Sequence, residues 1–468
     1  MLGQACIHIV GGGLAGCEAA WQALRAGHRV RLYEMRPHKM TPAHHTGELA
    51  ELVCSNSLKS MLPDSAPGLL KNEMQALDSL ILRAAAHAAV PAGQALAVER
   101  TIFSQFIKEA LESFPLFEKV DGEVTDLPSA EDLENSHDAW IVASGPLTSS
   151  ALMGALQKLC PDARRLHFYD AIAPILETES IDEKIVFRAS RYDESGDGDY
   201  LNVPLNKDEY EAFIDAVIAA EKMPLHDFEE VKYFESCLPI EVMIERGRDT
   251  LRFGPMKPMG LTDPRTGHRP WAAVQLRLEN KEGTMVSIVG FQTKMKWPEQ
   301  KRVFSLLPGL GQVEFFRFGS VHRNSYLKSP EVLNSDFSFR SSAQIFLAGQ
   351  ITGVEGYTES AAIGLLAGRA ASAKLHGTTF LMPPEGTLLG ALHRYVTVGG
   401  LGDFQPMNAN LGLLPALPRH KGMGKPERKA LQCAKVRTVF AEYFQQLTGP
   451  VPAVDRKLGG QISAEASV

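Results

Sequence analysis

The sequence predicts an α/β fold, and three stretches of the chain support this prediction. Residues 7–34 run from a β-branched segment through a glycine-rich turn and an Ala-rich amphipathic segment to a second apolar segment. Residues 139–145 are an apolar segment that ends in Ala-Ser-Gly, and residues 345–364 combine an apolar segment, a glycine and a run of small residues. A strand, a glycine turn, a helix and a second strand are typical of the first βαβ unit of a Rossmann-like nucleotide-binding domain.

The glycine-rich turn has the composition that a bound pyrophosphate requires. Gly11 allows a sharp turn out of the strand, Gly13 removes a side chain that would block the phosphates, and Gly16 lets the helix pack close to the sheet. The helix start would offer N–H groups and positive dipole to the phosphates. Glu34 lies where a carboxylate can accept hydrogen bonds from the ribose hydroxyls. The nucleotide-binding residues predicted here are Gly11, Gly12, Gly13, Leu14, Ala15, Gly16 and Glu34.

A second nucleotide-binding pattern lies near the other end of the chain. The segment that ends at Gly349 is followed by Gln350, where an acid is usual, and then by a helix start rich in small residues. Two such patterns, with the Ala-Ser-Gly strand between them, favour tightly bound FAD over NAD and a flavoprotein fold of the glutathione-reductase type. The FAD-binding residues predicted in this second pattern are Gly349, Gln350 and Gly353.

The length of 468 residues favours two domains. Tyr, Pro, Asp and Gly become frequent from about His167, and strand-like segments follow. We therefore expect a discontinuous FAD-binding domain at 1–165 and 331–468, with an α+β substrate- and RNA-binding domain inserted at 166–330. Within the first part, residues 69–87 predict one amphipathic helix and residues 120–124 a hairpin.

Composition excludes several classes of protein. The net charge of −7 excludes a polybasic protein, so an RNA site must be a local patch. The sequence has no run of 18 apolar residues, so we expect no membrane span. The first strand begins by about Ile7, which leaves no room for a signal peptide, so we expect a cytoplasmic protein. The six cysteines form no Cys-x-x-Cys pair, which argues against a disulfide framework, a zinc ribbon and a dithiol oxidoreductase, and we expect no metal site.

Two features leave alternatives open on the residues alone. Cys54 precedes Ser-Asn-Ser, where a helix or turn start would lower the pKa of a thiol, but a half-buried structural cysteine fits as well. Residues 418–437 carry seven basic residues and one acid, Glu427, which indicates either an RNA contact or a solvated helix end. The basic residues that we single out there are Lys425, Arg428 and Lys429.

Six motifs resemble the folate- and FAD-dependent tRNA uracil-5-methyltransferase family, and the resemblance runs from the first strand to Asn410. They are Tyr-Glu-Met-Arg-Pro at 33–37, Thr-Pro-Ala-His at 41–44, Glu-Leu-Val-Cys-Ser-Asn-Ser-Leu at 51–58, Phe-Gly-Pro-Met-Lys-Pro at 253–258, Trp-Pro-Glu-Gln-Lys-Arg at 297–302 and Gly-Val-Glu-Gly-Tyr at 353–357. The resemblance implies formation of 5-methyluridine in the T loop (position 54) of tRNA. It implies 5,10-methylenetetrahydrofolate as carbon donor and NADH or NADPH as reductant through FAD, with no obligatory protein partner and no membrane.

The resemblance also implies roles for two cysteines. Carbon 5 of uracil is a poor nucleophile until a thiolate adds to carbon 6, and Cys237 stands where the family carries its nucleophile. Cys54 matches the family's second cysteine, near the isoalloxazine, where proton transfer and protection of the flavin both fit. Residues near Cys237 that would favour the thiolate and hold RNA phosphates are Arg246, Arg248, Arg252 and Lys257. His322, Arg323 and Asn324 would flank the folate, although a buried structural histidine fits equally.

Several alternatives remain at this point. The same chemistry on ribosomal RNA would need identical residues. A wobble-uridine tRNA-modifying flavoprotein is related in fold but longer. A flavin oxidoreductase for small molecules, or a non-catalytic FAD-binding protein, would leave Cys237 and the basic segment 418–437 (the basic tail) without a role.

Overall fold

The computed structural model describes residues 5–160, 165–191, 198–223, 238–400, 404–417 and 424–448, without the side chains of 165–170, 322 and 323. The strands are β1 (Cys6–Val10), β2 (Arg29–Glu34), β3 (Ser57–Ser60), β4 (Ala89–Val90), β5 (Ala95–Val98), β6 (Phe117–Asp121), β7 (Ala139–Val142), β8 (Arg165–Ile172), β9 (Ile175–Glu177), β10 (Phe187–Arg188), β11 (Tyr200–Leu205), β12 (Ala272–Leu278), β13 (Met285–Ile288), β14 (Phe315–Arg317), β15 (Ser320–Leu327), β16 (Ser338–Phe339) and β17 (Ser342–Leu347).

The α-helices alternate with these strands and are numbered separately. They are α1 (Leu14–Arg25), α2 (Ala66–Ala76), α3 (Leu80–His87), α4 (Arg100–Glu112), α5 (Ala130–Ser136), α6 (Ser150–Leu159), α7 (Lys207–Ala219), α8 (Ile240–Glu245), α9 (Thr250–Phe253), α10 (Trp297–Phe304), α11 (Tyr357–Leu375), α12 (Leu388–Thr397) and α13 (Lys425–Thr448). None of the helices in the described part of the chain has the length and apolarity that a membrane crossing needs.

A six-stranded sheet forms the first layer, in the order β16-β17-β7-β1-β2-β6. All neighbours are parallel except β16, which pairs antiparallel with β17. Parallel strands buried on both faces need apolar residues throughout, and β1 is buried at all five positions. The fold is that of a Rossmann-like FAD-binding flavoprotein, as the sequence predicts.

Two helices from opposite ends of the chain pack against each other on one face of this sheet. A Cβ at Gly364 of α11 would lie 2.2 Å from the backbone oxygen of Ala15, and one at Gly368 would lie 2.7 Å from that of Ala19, both in α1. Helices approach this closely only where side chains are absent. The contact therefore depends on glycine in α11 and on alanine in α1.

A second six-stranded sheet, ordered β10-β11-β12-β13-β9-β14, is antiparallel throughout. This sheet has a separate hydrophobic core. Three phenylalanines lie at its centre: Phe213 of α7, Phe304 of α10, and Phe291, which precedes α10. All its strands fall within the segment 166–330 that we expect to be inserted. The boundaries of that domain stay a prediction.

Two local predictions are wrong. Residues 120–124 do not form a hairpin, because β6 ends at Asp121 and pairs in parallel with β2. The helix expected at 69–87 is two helices, since Asp78 has a φ of 63° and Ser79 caps a new helix by accepting the N–H of Leu82. The apolar positions keep helical spacing across this break, so the pattern alone does not reveal it.

We predict that Gly364→Ala lowers stability by about 1–3 kcal/mol, because the added methyl group meets the backbone of α1. Thermal unfolding of the flavin-loaded protein measures this. Gly154→Ala in α6 is the control, since nothing lies within 4 Å of its added Cβ, and it should leave stability unchanged or raise it by about 0.5–1 kcal/mol. Equal melting temperatures for the two variants would contradict the close helix contact.

Candidate nucleotide and substrate site

A cleft opens where β1, β2, β7 and β17 end. Its empty volume is about 1030 Å³, which includes space open to solvent. Ligands of open α/β sheets bind outside the carboxyl ends of the strands, which is where this cleft lies. The predicted nucleotide-binding residues that line it are Gly11, Gly13, Leu14, Ala15, Glu34, Gly349 and Gln350.

In the glycine turn an added side chain would meet the backbone at Gly11 and Gly16 but free space at Gly13. Gly11 has a φ of 109°, and Gly16 brings the first turn of α1 so close that an added Cβ would lie 1.9 Å from the oxygen of Gly11. A Cβ at Gly13, the N-cap of α1, would meet nothing within 4 Å, although Gly13 lines the cleft. The free space in front of this helix start fits a phosphate group.

Glu34 lies at the end of β2, but its carboxylate already has protein partners. Oε2 accepts the N–H of Gly12 at 2.9 Å and a guanidinium N–H of Arg36 at 3.0 Å, and Oε1 accepts the backbone and Nε N–H groups of Arg36 at 3.0 and 2.9 Å. Burial favours the neutral acid, yet these hydrogen bonds outweigh it and lower the pKa of Glu34. A ribose would have to share this carboxylate with Arg36.

Arg36 is the residue that sequence reasoning missed in this region. It is 2% exposed and also reaches Glu51 at 3.1 Å, so one guanidinium holds two carboxylates. His44 lies nearby in the cleft with its Nδ1 2.6 Å from the Thr41 hydroxyl. Burial and then Arg36 lower the pKa of His44 to about 4, so the imidazole is neutral at physiological pH.

The residues of the second pattern divide between the cleft and the packing behind it. Gly349, with a φ of 79°, and Gln350 line the cleft, and Gln350 donates to Glu355 at 2.5 Å. Gly353 is not among the lining residues, and a Cβ there would lie 2.5 Å from the ring of Phe404. Gly353 therefore makes room for a neighbouring aromatic ring.

Cys54 lies half-buried beside this cleft, next to the second sheet. Its N–H donates to the hydroxyl of Tyr357 at 2.7 Å, and Tyr357 lines the cleft. Its carbonyl accepts from Arg317 of β14 at 3.4 Å. Arg100 of α4 and Arg277 of β12 are close enough to interact electrostatically with Cys54. Sequence reasoning missed these three arginines because they come from separate segments, although the alternation of Gln275 and Arg277 in an apolar strand was a sign.

The second predicted cysteine, Cys237, lies outside the described residues, and so do the side chains of His322 and Arg323. Two arginines of the basic cluster that follows Cys237 in the sequence have partners in the described structure. Arg248 is paired with Glu211 at 2.6 Å and Asp215 at 2.7 Å. The guanidinium of Arg252 lies 3.7 Å from the ring centre of Trp271. Arg246 is exposed and Lys257 is half-buried.

The described part of the basic segment 418–437 begins at Gly424 and forms the start of α13, while residues 418–423 lie outside the described residues. Lys425, Arg428 and Lys429 are exposed there, whereas Arg437 further along binds Asp64 at 3.0 Å. The helix is held by buried Cys433, Val436 and Tyr443. The exposed positive charge therefore lies at the N-terminal end of a docked helix.

We predict that Gly13→Val lowers the affinity for FAD by more than about tenfold, the equivalent of about 1.4 kcal/mol, because two methyl groups fill the space before α1. Flavin absorbance per protein after gel filtration measures the occupancy. Gly311→Val is the control, since Gly311 has the same free space but lies outside the cleft lining. Full flavin retention in Gly13→Val would contradict this role of the turn.

Residues 6–379 match the family described as glucose inhibited division protein A. A methylenetetrahydrofolate--tRNA-(uracil-5-)-methyltransferase TrmFO from Geobacter sulfurreducens is 54% identical over 88% of this chain and 93% of its own. The TrmFO of Rubrobacter xylanophilus is 48% identical over 96% of this chain and 99% of its own. A GidA structure from Aquifex aeolicus has a TM-score of 0.67 at 15% identity, over 94% of this chain and 76% of its own, and shows the fold alone. The chain belongs to the TrmFO family within the glucose inhibited division protein A group.

Proposed function

We propose that this protein forms 5-methyluridine in the T loop of tRNA, with 5,10-methylenetetrahydrofolate as carbon donor and NADH or NADPH as reductant through FAD. The observation that carries the proposal is identity of 48–54% over 88–96% of the chain to relatives named as methylenetetrahydrofolate--tRNA-(uracil-5-)-methyltransferases. The T loop and the reductant come from the resemblance of the sequence motifs. A tRNA substrate supports the cytoplasmic location that we expect from the sequence.

The cleft supports FAD as the cofactor. Gly13 leaves space for the pyrophosphate before α1, and Gly349 and Gln350 face the same cleft ahead of α11. When bound, FAD would supply the electrons that turn a methylene group into a methyl group. The neutral imidazole of His44 offers a hydrogen-bonding group without charge, and Arg36 fixes the loop that carries it through Glu34 and Glu51.

The chemistry on uracil needs a reversible nucleophile, and we assign it to Cys237. A thiolate adds to carbon 6 and leaves again after carbon 5 has reacted. Of the other cysteines, Cys6, Cys17, Cys160 and Cys433 are buried, and burial raises the pKa of each of these thiols. Cys54 is the half-buried thiol beside the cleft, which suits a role next to the flavin.

We predict that the wild-type protein, given unmodified tRNA, methylenetetrahydrofolate and NADH, forms 5-methyluridine that nucleoside analysis detects. Cys237→Ala should keep FAD and its reduction by NADH but form no methylated uridine and trap no tRNA that carries 5-fluorouridine. Cys160→Ala, a buried thiol in another core cluster, is the control and should keep the activity. Loss of the trapped complex in Cys54→Ala but not in Cys237→Ala would reverse the two assignments. Methylation of ribosomal RNA instead of tRNA would contradict the substrate.

We assign the start of α13 to RNA phosphate binding. Lys425, Arg428 and Lys429 are exposed in the first two turns, where the helix dipole disfavours positive charge. Helix stability therefore does not explain their position. A polyanionic ligand does, because each phosphate contact releases counterions and strengthens binding at low salt.

We predict that replacing Lys425 and Lys429 by Glu weakens tRNA binding and reduces the slope of log affinity against log salt by about 1.4–1.8, since each lost phosphate contact contributes about 0.7–0.9. Filter binding between 50 and 200 mM salt measures this. NADH oxidation should not change. Lys158→Glu on α6 is the control, because its side chain is 76% exposed on the other side of the sheet from α1 and α11. If the double variant binds tRNA with unchanged affinity, the start of α13 is a solvated helix end and does not contact RNA.

A further inference from the structure

Three arginines converge beside Cys54, between the two large sheets. Arg100 comes from α4, Arg277 from β12 and Arg317 from β14. Burial lowers the pKa of Arg100 to about 10, and the positive charges of Arg317 and Arg277 contribute to this shift. The guanidinium groups of Arg317 and Arg277 are therefore close enough to repel that of Arg100. All three also interact electrostatically with Tyr357, which lines the cleft. The cluster therefore adjoins the cleft.

The hydrogen bonds of this cluster are incomplete. Arg277 is 7% exposed, and within the described segments its guanidinium donates from Nε to Asn56 at 2.9 Å. Arg100 donates to the carbonyl of Leu52 and to Glu279, but its Nη2 is buried without a partner among the described residues, and so is Nε of Arg317. A charged donor that is buried without a partner destabilises the folded protein, because it has lost its hydrogen bonds to water. Two such donors in one place favour a bound anion.

The charge of the cluster limits the choice of anion. Glu279 is the carboxylate paired with it, through Arg100, so three positive charges face one negative charge. Glu51 also interacts electrostatically with Arg317, but its carboxylate is already hydrogen-bonded to Arg36. A ligand with two negative charges would balance the cluster. Guanidinium groups bind carboxylates through two parallel hydrogen bonds, which fits a dicarboxylate.

We propose that Arg100, Arg277 and Arg317 bind the carboxylates of the glutamate tail of the folate co-substrate. This inference rests on the proposed function, which makes a folate the carbon donor. The tail is a flexible chain end with two carboxylates, so it can enter a buried site from the cleft. A phosphodiester of RNA carries a single charge and continues as a polymer on both sides, which does not suit donors buried this deeply.

The test compares two ligands that differ only in the tail. Tetrahydrofolate and tetrahydropteroate, which lacks the glutamate, are titrated anaerobically into the FAD-loaded full-length protein by calorimetry. The wild type should bind tetrahydrofolate about 10- to 100-fold more tightly, as expected for hydrogen bonds between charged groups. Arg317→Met should lose this preference by weakening tetrahydrofolate alone. Arg277→Met should do the same, and flavin content and circular dichroism show whether either variant is folded.

Arg188→Met is the matched control, because Arg188 is exposed on β10 of the same sheet. It should leave both affinities unchanged. Equal binding of the two ligands by the wild type would overturn the tail site while leaving the folate donor in place. Equal weakening of both ligands in Arg317→Met would also overturn it, as would a loss of tRNA affinity with folate affinity intact. If the wild type binds neither ligand, the proposed function fails together with this inference.

Discussion

Close contact between α1 and α11 is the constraint on which the cleft depends. Gly364 and Gly368 let α11 approach Ala15 and Ala19 of α1 to backbone distance. Both helices therefore begin beside the same space, although more than 300 residues separate them in the chain. A helix start presents unpaired N–H groups and a positive dipole, so two starts at one cleft favour a ligand with negative charge near both. This arrangement needs small residues in both helices.

Two buried groups of charges around the cleft differ in how completely they are paired. Arg36 holds Glu34 and Glu51, and nearly every donor and acceptor in that group has a partner. Such a network fixes the loop at 35–51 without any ligand. The arginines beside Cys54 have one paired carboxylate, and two of their buried donors have no partner in the described part of the chain. Burying an unpaired charge is unfavourable. The Arg36 group is stable without a ligand because its charges are paired, whereas the arginines beside Cys54 would gain stability from a bound anion.

Local patterns in the sequence predicted the fold well, because each depends on neighbouring residues. The glycine turn, the Ala-Ser-Gly strand and the helix after Gly349 all occur where expected. Contacts between distant segments were not predictable. The pairing of Arg36 with Glu51, and of Arg100 with Glu279 across 179 positions, comes only from the folded chain. Gly353 shows the same limit, since its role in packing depends on Phe404.

The basic residues show why charge counted along a sequence differs from charge available to a ligand. Arg248 belongs to the basic cluster that is nearest to Cys237 in the sequence, yet its guanidinium binds two carboxylates of α7. Arg252 rests against Trp271. At the start of α13, by contrast, Lys425, Arg428 and Lys429 are exposed with Glu427 as the acid nearby in sequence. Because the whole protein has a net charge of −7, a polyanion approaching it is repelled except at such a local patch. The start of α13 is thus better suited than the Arg248 surface to bring RNA to the protein.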